Sequence, residues 1–220
     1  MHRDELLATL PLTIAPGIAP RIRVGSFTLD GVTAGERPAS LDTELSELET
    51  RYRRLWKEPA EAHDALHPAR KLYHALGIDP SKTRPSSEAL LRRVLLGKGL
   101  YKVNAVVDAA NLASLSLLLP VGLYDLGKIQ PPVLLRFGLP GESYEGIRKD
   151  EVHLPNRPTL VDGLGPFGNP TSDSMRTSVT TETRAVWFVL FAPADHAEPA
   201  MRDELRRAHD ILRRHACAHP

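Results

Sequence analysis

The sequence predicts an α+β fold in a single domain over residues 1–220, and three observations support this prediction. Apolar residues recur at helical spacing in the first half of the chain, above all over residues 41–57. Strand-forming residues dominate the second half, where residues 133–137 and 185–191 are the clearest strands. No repeat, low-complexity tract or clean linker divides the chain, so one domain is the simplest description.

The N-terminal half predicts short strands followed by four helices. Over residues 10–35, prolines separate short runs of alternating apolar residues, a pattern typical of strands and turns. Ser86 and Ser87 follow Pro85 and predict a hydroxyl cap at the start of the third helix. The four helices are predicted over about residues 41–57, 60–76, 86–97 and 104–117.

The C-terminal half predicts a β-rich body closed by one helix. Residues 186–191 are all apolar, as expected for a central strand that is buried on both faces. Residues 162–173 are rich in glycine, proline and aspartate and predict a loop. The spacing of Asp195 and Glu198 is that of a capping box before a helix over 199–216.

Composition favours a cytoplasmic protein. There is no apolar run of membrane-spanning length, so no membrane association is expected, and the acidic residues near Met1 do not suit a signal peptide. A lone cysteine, Cys217, excludes an internal disulfide framework. A net charge of +1 argues against bulk non-specific nucleic-acid binding, so no DNA partner is expected, but a small docking surface for RNA stays open.

Common catalytic and cofactor motifs are absent from the sequence. It contains no phosphate loop, dinucleotide fingerprint, nucleophile elbow or His-Glu-x-x-His pair, and we expect no cofactor. His63, His67 and His74 could share one helix face, but no cysteine or carboxylate pattern completes a metal site. We therefore expect no metal and interpret these histidines as solvated.

Three stretches are distinctive in order and spacing. They are Arg-Pro-Ser-Ser-Glu-Ala-Leu-Leu-Arg-Arg at 84–93, Val-Asp through Leu-Pro-Val-Gly-Leu-Tyr-Asp-Leu at 107–126, and Gly-Pro-Phe-Gly-Asn-Pro-Thr-Ser-Asp-Ser at 165–174. With Gly141-Glu142 and Thr180-Thr181-Glu182-Thr183, they resemble the editing (B3/B4) domain of phenylalanyl-tRNA synthetase β subunits. The similarity is greater still to stand-alone proteins built on that domain, and it covers roughly residues 40–195.

The resemblance implies a central sheet and a pocket that accepts the aminoacylated end of tRNA. In the synthetase, that pocket hydrolyses tyrosine mistakenly attached to the phenylalanine tRNA. Ester hydrolysis needs a positioned water and donors for the developing oxyanion. The terminal ribose hydroxyl can help to place the water, so no protein nucleophile is required.

Only some of the pocket residues of the synthetase are matched in this chain. Asn111 matches the asparagine of the Val-Asp-x-x-Asn motif. The synthetase has threonine where this chain has Ala110, and a pocket histidine where it has Gly122. The pocket acid falls near residues 177–178, where this chain has no carboxylate. Transfer of the tyrosine-editing activity is therefore not implied.

The candidate site residues fall into three groups. Those expected to act in catalysis, with Asp173 as base or ammonium anchor, are Asn111, Asp173, Thr180 and Thr181. Those expected to bind substrate, with Gly122 enlarging the pocket and Arg176 meeting a phosphate or oxyanion, are Gly122, Asn169, Thr171, Ser174 and Arg176. Those expected to contact tRNA phosphates are Lys82, Arg84, Arg92 and Arg93.

Structural interpretations compete with these roles, and three functions stay open. Residues 169–173 are good turn formers, and Arg92 and Arg93 suit a solvated helix face. The leading hypothesis is a trans-acting hydrolase of mischarged aminoacyl-tRNA. The alternatives are a non-catalytic tRNA- or RNA-binding module and a binder of an amino acid or related small molecule.

Overall fold

The computed structural model describes residues 7–147 and 151–217, and it confirms the α+β fold. The α-helices in these ranges are α1 (Ala39–Leu55), α2 (His63–Ala75), α3 (Ser86–Leu95), α4 (Ala105–Leu117) and α5 (Glu198–Ala216). The strands are β1 (Leu12–Ile14), β2 (Ile22–Asp30), β3 (Val121–Asp125), β4 (Val133–Phe137), β5 (Ser143–Glu145), β6 (Glu151–His153), β7 (Pro158–Asp162), β8 (Gly165–Asn169), β9 (Ser172–Asp173) and β10 (Ala185–Pro193). No helix in these ranges is both long and apolar enough to cross a membrane.

A three-stranded antiparallel sheet has the order β2-β10-β3, with β10 in the centre. Successive residues of β10 face opposite sides. Phe188 packs with residues of β2, α4 and α5, whereas Trp187 packs with residues of α2 and of the second sheet. Both faces of β10 are therefore buried, which explains the unbroken apolar run at 186–191.

A five-stranded sheet has the order β1-β4-β7-β8-β9. Its pairs are antiparallel except β1 with β4. The predicted loop at 162–173 is wrong, because β8 and β9 lie within it. The tight turns at 163–164 and 170–171 begin with Gly163 and Pro170, and the strands beside these turns are too short to show a period.

The edges of the two sheets meet. Strand β3 is an edge of the three-stranded sheet, β9 is an edge of the five-stranded sheet, and the two contact each other. Helix α4 packs against β3. This line of contact, called the seam below, lies where the distinctive motifs at 107–126 and 165–174 come together.

Two predicted helix caps are wrong. The N-cap residue of α3 is Pro85, and Ser86 Oγ is buried without a hydrogen-bond partner because this residue is already inside the helix. The N-cap of α5 is Ala197, and the carboxylate of Asp195 pairs with Lys71 instead. Helix α4 has a side-chain cap, in which Asn104 Oδ1 accepts a hydrogen bond from the Val107 N–H at 2.9 Å.

Candidate functional site

A cavity of about 640 Å³ lies at the seam. Helices α3 and α4, strand β3 and the segment after β9 all contribute to its wall. Its lining residues are Leu90, Tyr101, Val103, Val107, Ala110, Asn111, Val121, Leu123, Ile147, Asp173, Met175, Ser178, Val179 and Thr180. The volume is of the size that small-molecule sites occupy.

The cavity has a mainly apolar lining. Tyr101, Val103, Ile147 and Met175 line it and are also exposed to solvent. Large exposed apolar side chains gathered at one opening are typical of ligand-binding surfaces. The site can therefore contact an apolar or aromatic part of a ligand.

Asp173 places a carboxyl group in this mainly apolar cavity. Its Oδ1 atom is buried and has no hydrogen-bond partner in the described part of the chain. Burial raises the pKa of this carboxyl from 3.8 to about 7, although the nearby Tyr124 hydroxyl and Leu123 N–H act in the opposite direction. A carboxyl that titrates near neutrality can take up or release a proton at physiological pH.

Asn111 and Thr180 line the same cavity as Asp173. Asn111 lies on α4, and Thr180 lies in the segment between β9 and β10. Thr180 is held locally, since its N–H donates to Thr183 Oγ1 at 2.9 Å. Three of the four residues predicted to be catalytic thus come together. The fourth, Thr181, is not among the cavity-lining residues, and its carbonyl accepts a hydrogen bond from Arg184.

Three predicted substrate-binding residues form local hydrogen bonds outside the lining. Asn169 Oδ1 accepts from the Thr171 N–H at 2.8 Å and from Thr171 Oγ1 at 2.5 Å, and also from the Ser172 N–H at 2.9 Å. The buried Ser174 hydroxyl lies 3.3 Å from Thr177 Oγ1. These bonds shape the turn between β8 and β9 and the chain that follows it, which fits the turn-scaffold interpretation.

Arg176 is committed to an ion pair with a buried carboxylate. Its guanidinium donates to both carboxylate oxygens of Asp162, at 2.8 and 3.1 Å, and to the carbonyls of Lys128 and Gly165. The Asp162 side chain is fully buried. Bidentate pairing of this kind fixes the orientation of a guanidinium. The structure therefore gives Arg176 a structural role in the turn between β7 and β8.

Gly122 lies on the opposite face of β3 from the cavity-lining Val121 and Leu123. A methyl group at Gly122 would be only 2.3 Å from Tyr124 Oη. Gly122 therefore makes room for a buried tyrosine of the protein, whereas the sequence predicted room for substrate. Sequence reasoning missed Tyr124, although it stands inside the Leu-Pro-Val-Gly-Leu-Tyr-Asp motif.

The cationic residues predicted to contact tRNA differ in their surroundings. The Arg93 guanidinium stacks on the cavity-lining Tyr101 ring at 3.6 Å and donates to the Gly99 carbonyl. Arg84 lies 3.4 Å from Glu88, which also forms a bidentate pair with Arg70. Lys82 and Arg92 are exposed. Of the four, Arg93 has a contact with the cavity wall.

Sequence reasoning also missed most of the apolar wall. Tyr101 and Val103 lie in irregular chain between α3 and α4, and Ile147 follows β5. Exposed apolar residues in turns are the available signal, but it does not say which of them converge. No group of three or more histidine, cysteine, aspartate or glutamate side chains in residues 7–147 and 151–217 could hold a metal ion.

The fold and cavity define an α+β protein with a ligand-sized site between two sheets. The chain belongs to the B3/4 domain family, whose sequence model matches residues 68–207. Among solved structures, it is similar to an N-terminal fragment of the phenylalanyl-tRNA synthetase β-subunit from Pyrococcus horikoshii, with 14% identity and a TM-score of 0.47. The match covers 95% of this chain and 49% of that one, so the chain spans about half of the fragment. No curated protein gives a significant sequence match.

Proposed function

We propose that this protein is an editing-type hydrolase that releases an amino acid from an aminoacyl-tRNA. The observation that carries the proposal is the position of Asp173 in the cavity lining, with its Oδ1 atom buried and without a hydrogen-bond partner in the described part of the chain. Burial raises the pKa of this carboxyl to about 7. General bases work best when their pKa lies near the operating pH. Asn111 and Thr180 supply polar groups to the same cavity.

The reaction uses Asp173 as the base. Its carboxylate takes a proton from a water molecule while the water oxygen attacks the ester carbonyl carbon. The bond between that carbon and the ribose oxygen then breaks, and the ribose oxygen receives the proton. The products are the free amino acid and tRNA with an intact terminal hydroxyl. The Asn111 amide lines the same cavity and can donate to the oxyanion.

Family membership supports aminoacylated tRNA as the substrate class. The motifs at 84–93, 107–126 and 165–174 resemble the editing domain of phenylalanyl-tRNA synthetase β subunits. The apolar opening suits an amino-acid side chain or a terminal base. Arg93 stacked on Tyr101 offers a cationic and aromatic surface of the kind that single-stranded RNA ends contact.

The alternative function is binding without catalysis, to tRNA or to a free amino acid. One observation favours it, namely that the hydroxyls and guanidinium at Thr171, Ser174 and Arg176 are engaged within the protein. The cavity then has few polar groups of its own. Cytoplasmic location is a further prediction of both functions.

Deacylation assays separate these functions. The chain would be incubated with tRNAs that carry correct and near-miss amino acids, including tyrosine on the phenylalanine tRNA. We expect fast release from one mischarged pair, lost in Asp173→Asn and reduced in Asn111→Ala. The exposed Asp195→Asn is the matched control and should keep the activity of the unaltered chain.

Release at the spontaneous rate across the panel would overturn the hydrolase for the pairs tested. Equilibrium binding of uncharged tRNA and of the free amino acids would then distinguish the two binding functions.

A further inference from the structure

We infer that Tyr124 is the positioning residue for Asp173, and that Gly122 and Gly168 leave the space through which its hydroxyl reaches that side chain. The inference deepens the proposed function, and its meaning for catalysis rests on that function. The contact between the two side chains is testable without any activity.

The position of the Tyr124 hydroxyl follows from its close approach to two glycines. A methyl group would lie 2.3 Å from Oη if added at Gly122 and 2.4 Å from it if added at Gly168. Both distances are far below van der Waals contact, so no other residue fits at either position without displacing the ring. Gly168 is the direct pairing partner of Asp173 in the β8–β9 ladder. The hydroxyl therefore ends at the strand pair that carries the candidate base.

Packing fixes the ring in this place. Tyr124 is fully buried, with its ring centroid 5.1 Å from that of Phe167 in an edge-on contact and 5.8 Å from that of Trp187. Phe167 belongs to the five-stranded sheet and Trp187 to the three-stranded sheet. Because both sheets hold the ring, its hydroxyl has little freedom to turn elsewhere.

The Tyr124 hydroxyl and the Asp173 carboxyl each contain a buried oxygen that lacks a hydrogen-bond partner in the described part of the chain. Tyr124 Oη and Asp173 Oδ1 are both buried and without a hydrogen bond of normal geometry in the described part of the chain. Buried polar atoms without partners are destabilising and rare, and they recur at functional sites. The Tyr124 and Asp173 side chains are close enough for each to influence the pKa of the other.

Two other tyrosines lie in the electrostatic field of Asp173, but their hydrogens are used. Tyr73 Oη donates to the Pro170 carbonyl at 2.7 Å, and Tyr144 Oη donates to the Ser172 carbonyl. A phenol has one hydrogen to donate. Of these three tyrosines, Tyr124 is therefore the one that can donate to the Asp173 carboxylate.

As a hydrogen-bond donor, the Tyr124 hydroxyl lowers the pKa of Asp173. Burial and the negative charge of Asp173 raise the pKa of Tyr124 well above its usual value, so the phenol keeps its proton in the working range of pH. Donation to the carboxylate stabilises the ionised form of Asp173 and orients it towards the cavity. Without the hydroxyl, Asp173 should hold its proton more strongly.

The test is a carboxyl titration by ¹³C NMR on the whole chain labelled at aspartate. The Asp173 resonance would be assigned by its loss in Asp173→Asn. In Tyr124→Phe we expect the midpoint to rise by about one pH unit, the effect of one lost charge-assisted hydrogen bond. Gly168→Ala, which pushes the hydroxyl away, should shift it in the same direction. Tyr52→Phe removes a buried hydroxyl that donates to Leu115 and should leave the midpoint unchanged.

An unchanged midpoint in folded Tyr124→Phe would overturn the inference, whether or not the protein is a hydrolase. If deacylation is found, its pH–rate profile should move with the titration, which loss of packing alone would not produce. If no deacylation is found, the proposed function fails while the titration still decides the role of Tyr124.

Discussion

Replacement of Asp173 by asparagine removes an ionisable group from the seam while keeping its size. The folded protein holds the Asp173 proton up to a pKa of about 7, whereas the unfolded chain releases it near 3.8. A carboxyl whose pKa is raised on folding binds its proton more tightly in the folded state than in the unfolded state. The bound proton therefore stabilises the folded protein at low pH. That stabilisation is complete below pH 3.8 and is lost as the pH rises through 7.

The size of the expected stability difference follows from the separation between the folded-state and unfolded-state pKa values of Asp173. They differ by about three pH units, and each unit corresponds to about 1.4 kcal/mol. The asparagine variant has no proton to lose, so it should match the unaltered chain in stability below about pH 4. Its advantage should grow by about 1.4 kcal/mol per pH unit and level off near 4 kcal/mol above pH 7.

Urea unfolding at pH 5, 6, 7 and 8 measures this difference. The surface variant Asp195→Asn serves as the control because its carboxylate pairs with Lys71 in solvent and should show no growing advantage over this range. A stability difference between Asp173→Asn and the unaltered chain that stays constant from pH 5 to 8 would refute the reasoning. So would a variant that is less stable at pH 8.

Three further changes test neighbouring features. Gly122→Ala should destabilise the fold by about 1–3 kcal/mol in urea, because its methyl group collides with Tyr124; unchanged stability would contradict the close approach. Arg176→Ala should destabilise it by about 1–3 kcal/mol, because the buried Asp162 carboxylate then keeps only the N–H donors of Gln130 and Leu164; a stable variant with lost ligand binding would instead support a binding role. Arg93→Ala should weaken aminoacyl-tRNA binding with little change in stability, which filter binding and thermal melting would measure together.

Much of the fold could be predicted from residue patterns. The stripe of α1 and the apolar run of β10 are strong periodic signals, and both elements begin within two residues of the predicted positions. Strands β8 and β9 could not be predicted, because short strands between tight turns carry turn-forming residues along most of their length. The predicted caps of α3 and α5 were wrong for a related reason. A hydroxyl or carboxylate near the start of a helix does not show at which residue the first turn begins.

The candidate site was predictable only in part. Asn111, Asp173 and Thr180 could be named from motif positions, and they converge on one cavity. Sequence spacing could not show that Arg176 is paired with Asp162, since Arg176 lies in a turn after β9 and its partner lies on β7. Nor could it show that Gly122 faces away from the cavity, because the face of a strand depends on its register in the sheet.

The seam has a consequence for folding as well as for chemistry. Asp173 belongs to one sheet and the nearby Tyr124 and Leu123 to the other, so the surroundings that perturb its ionisation exist only after the two sheets dock. In a collapsed intermediate with undocked sheets, this carboxyl would titrate near 3.8 like any solvated aspartate. Its protonation state therefore reports docking: a carboxyl that titrates near 7 signals that the two sheets are in place.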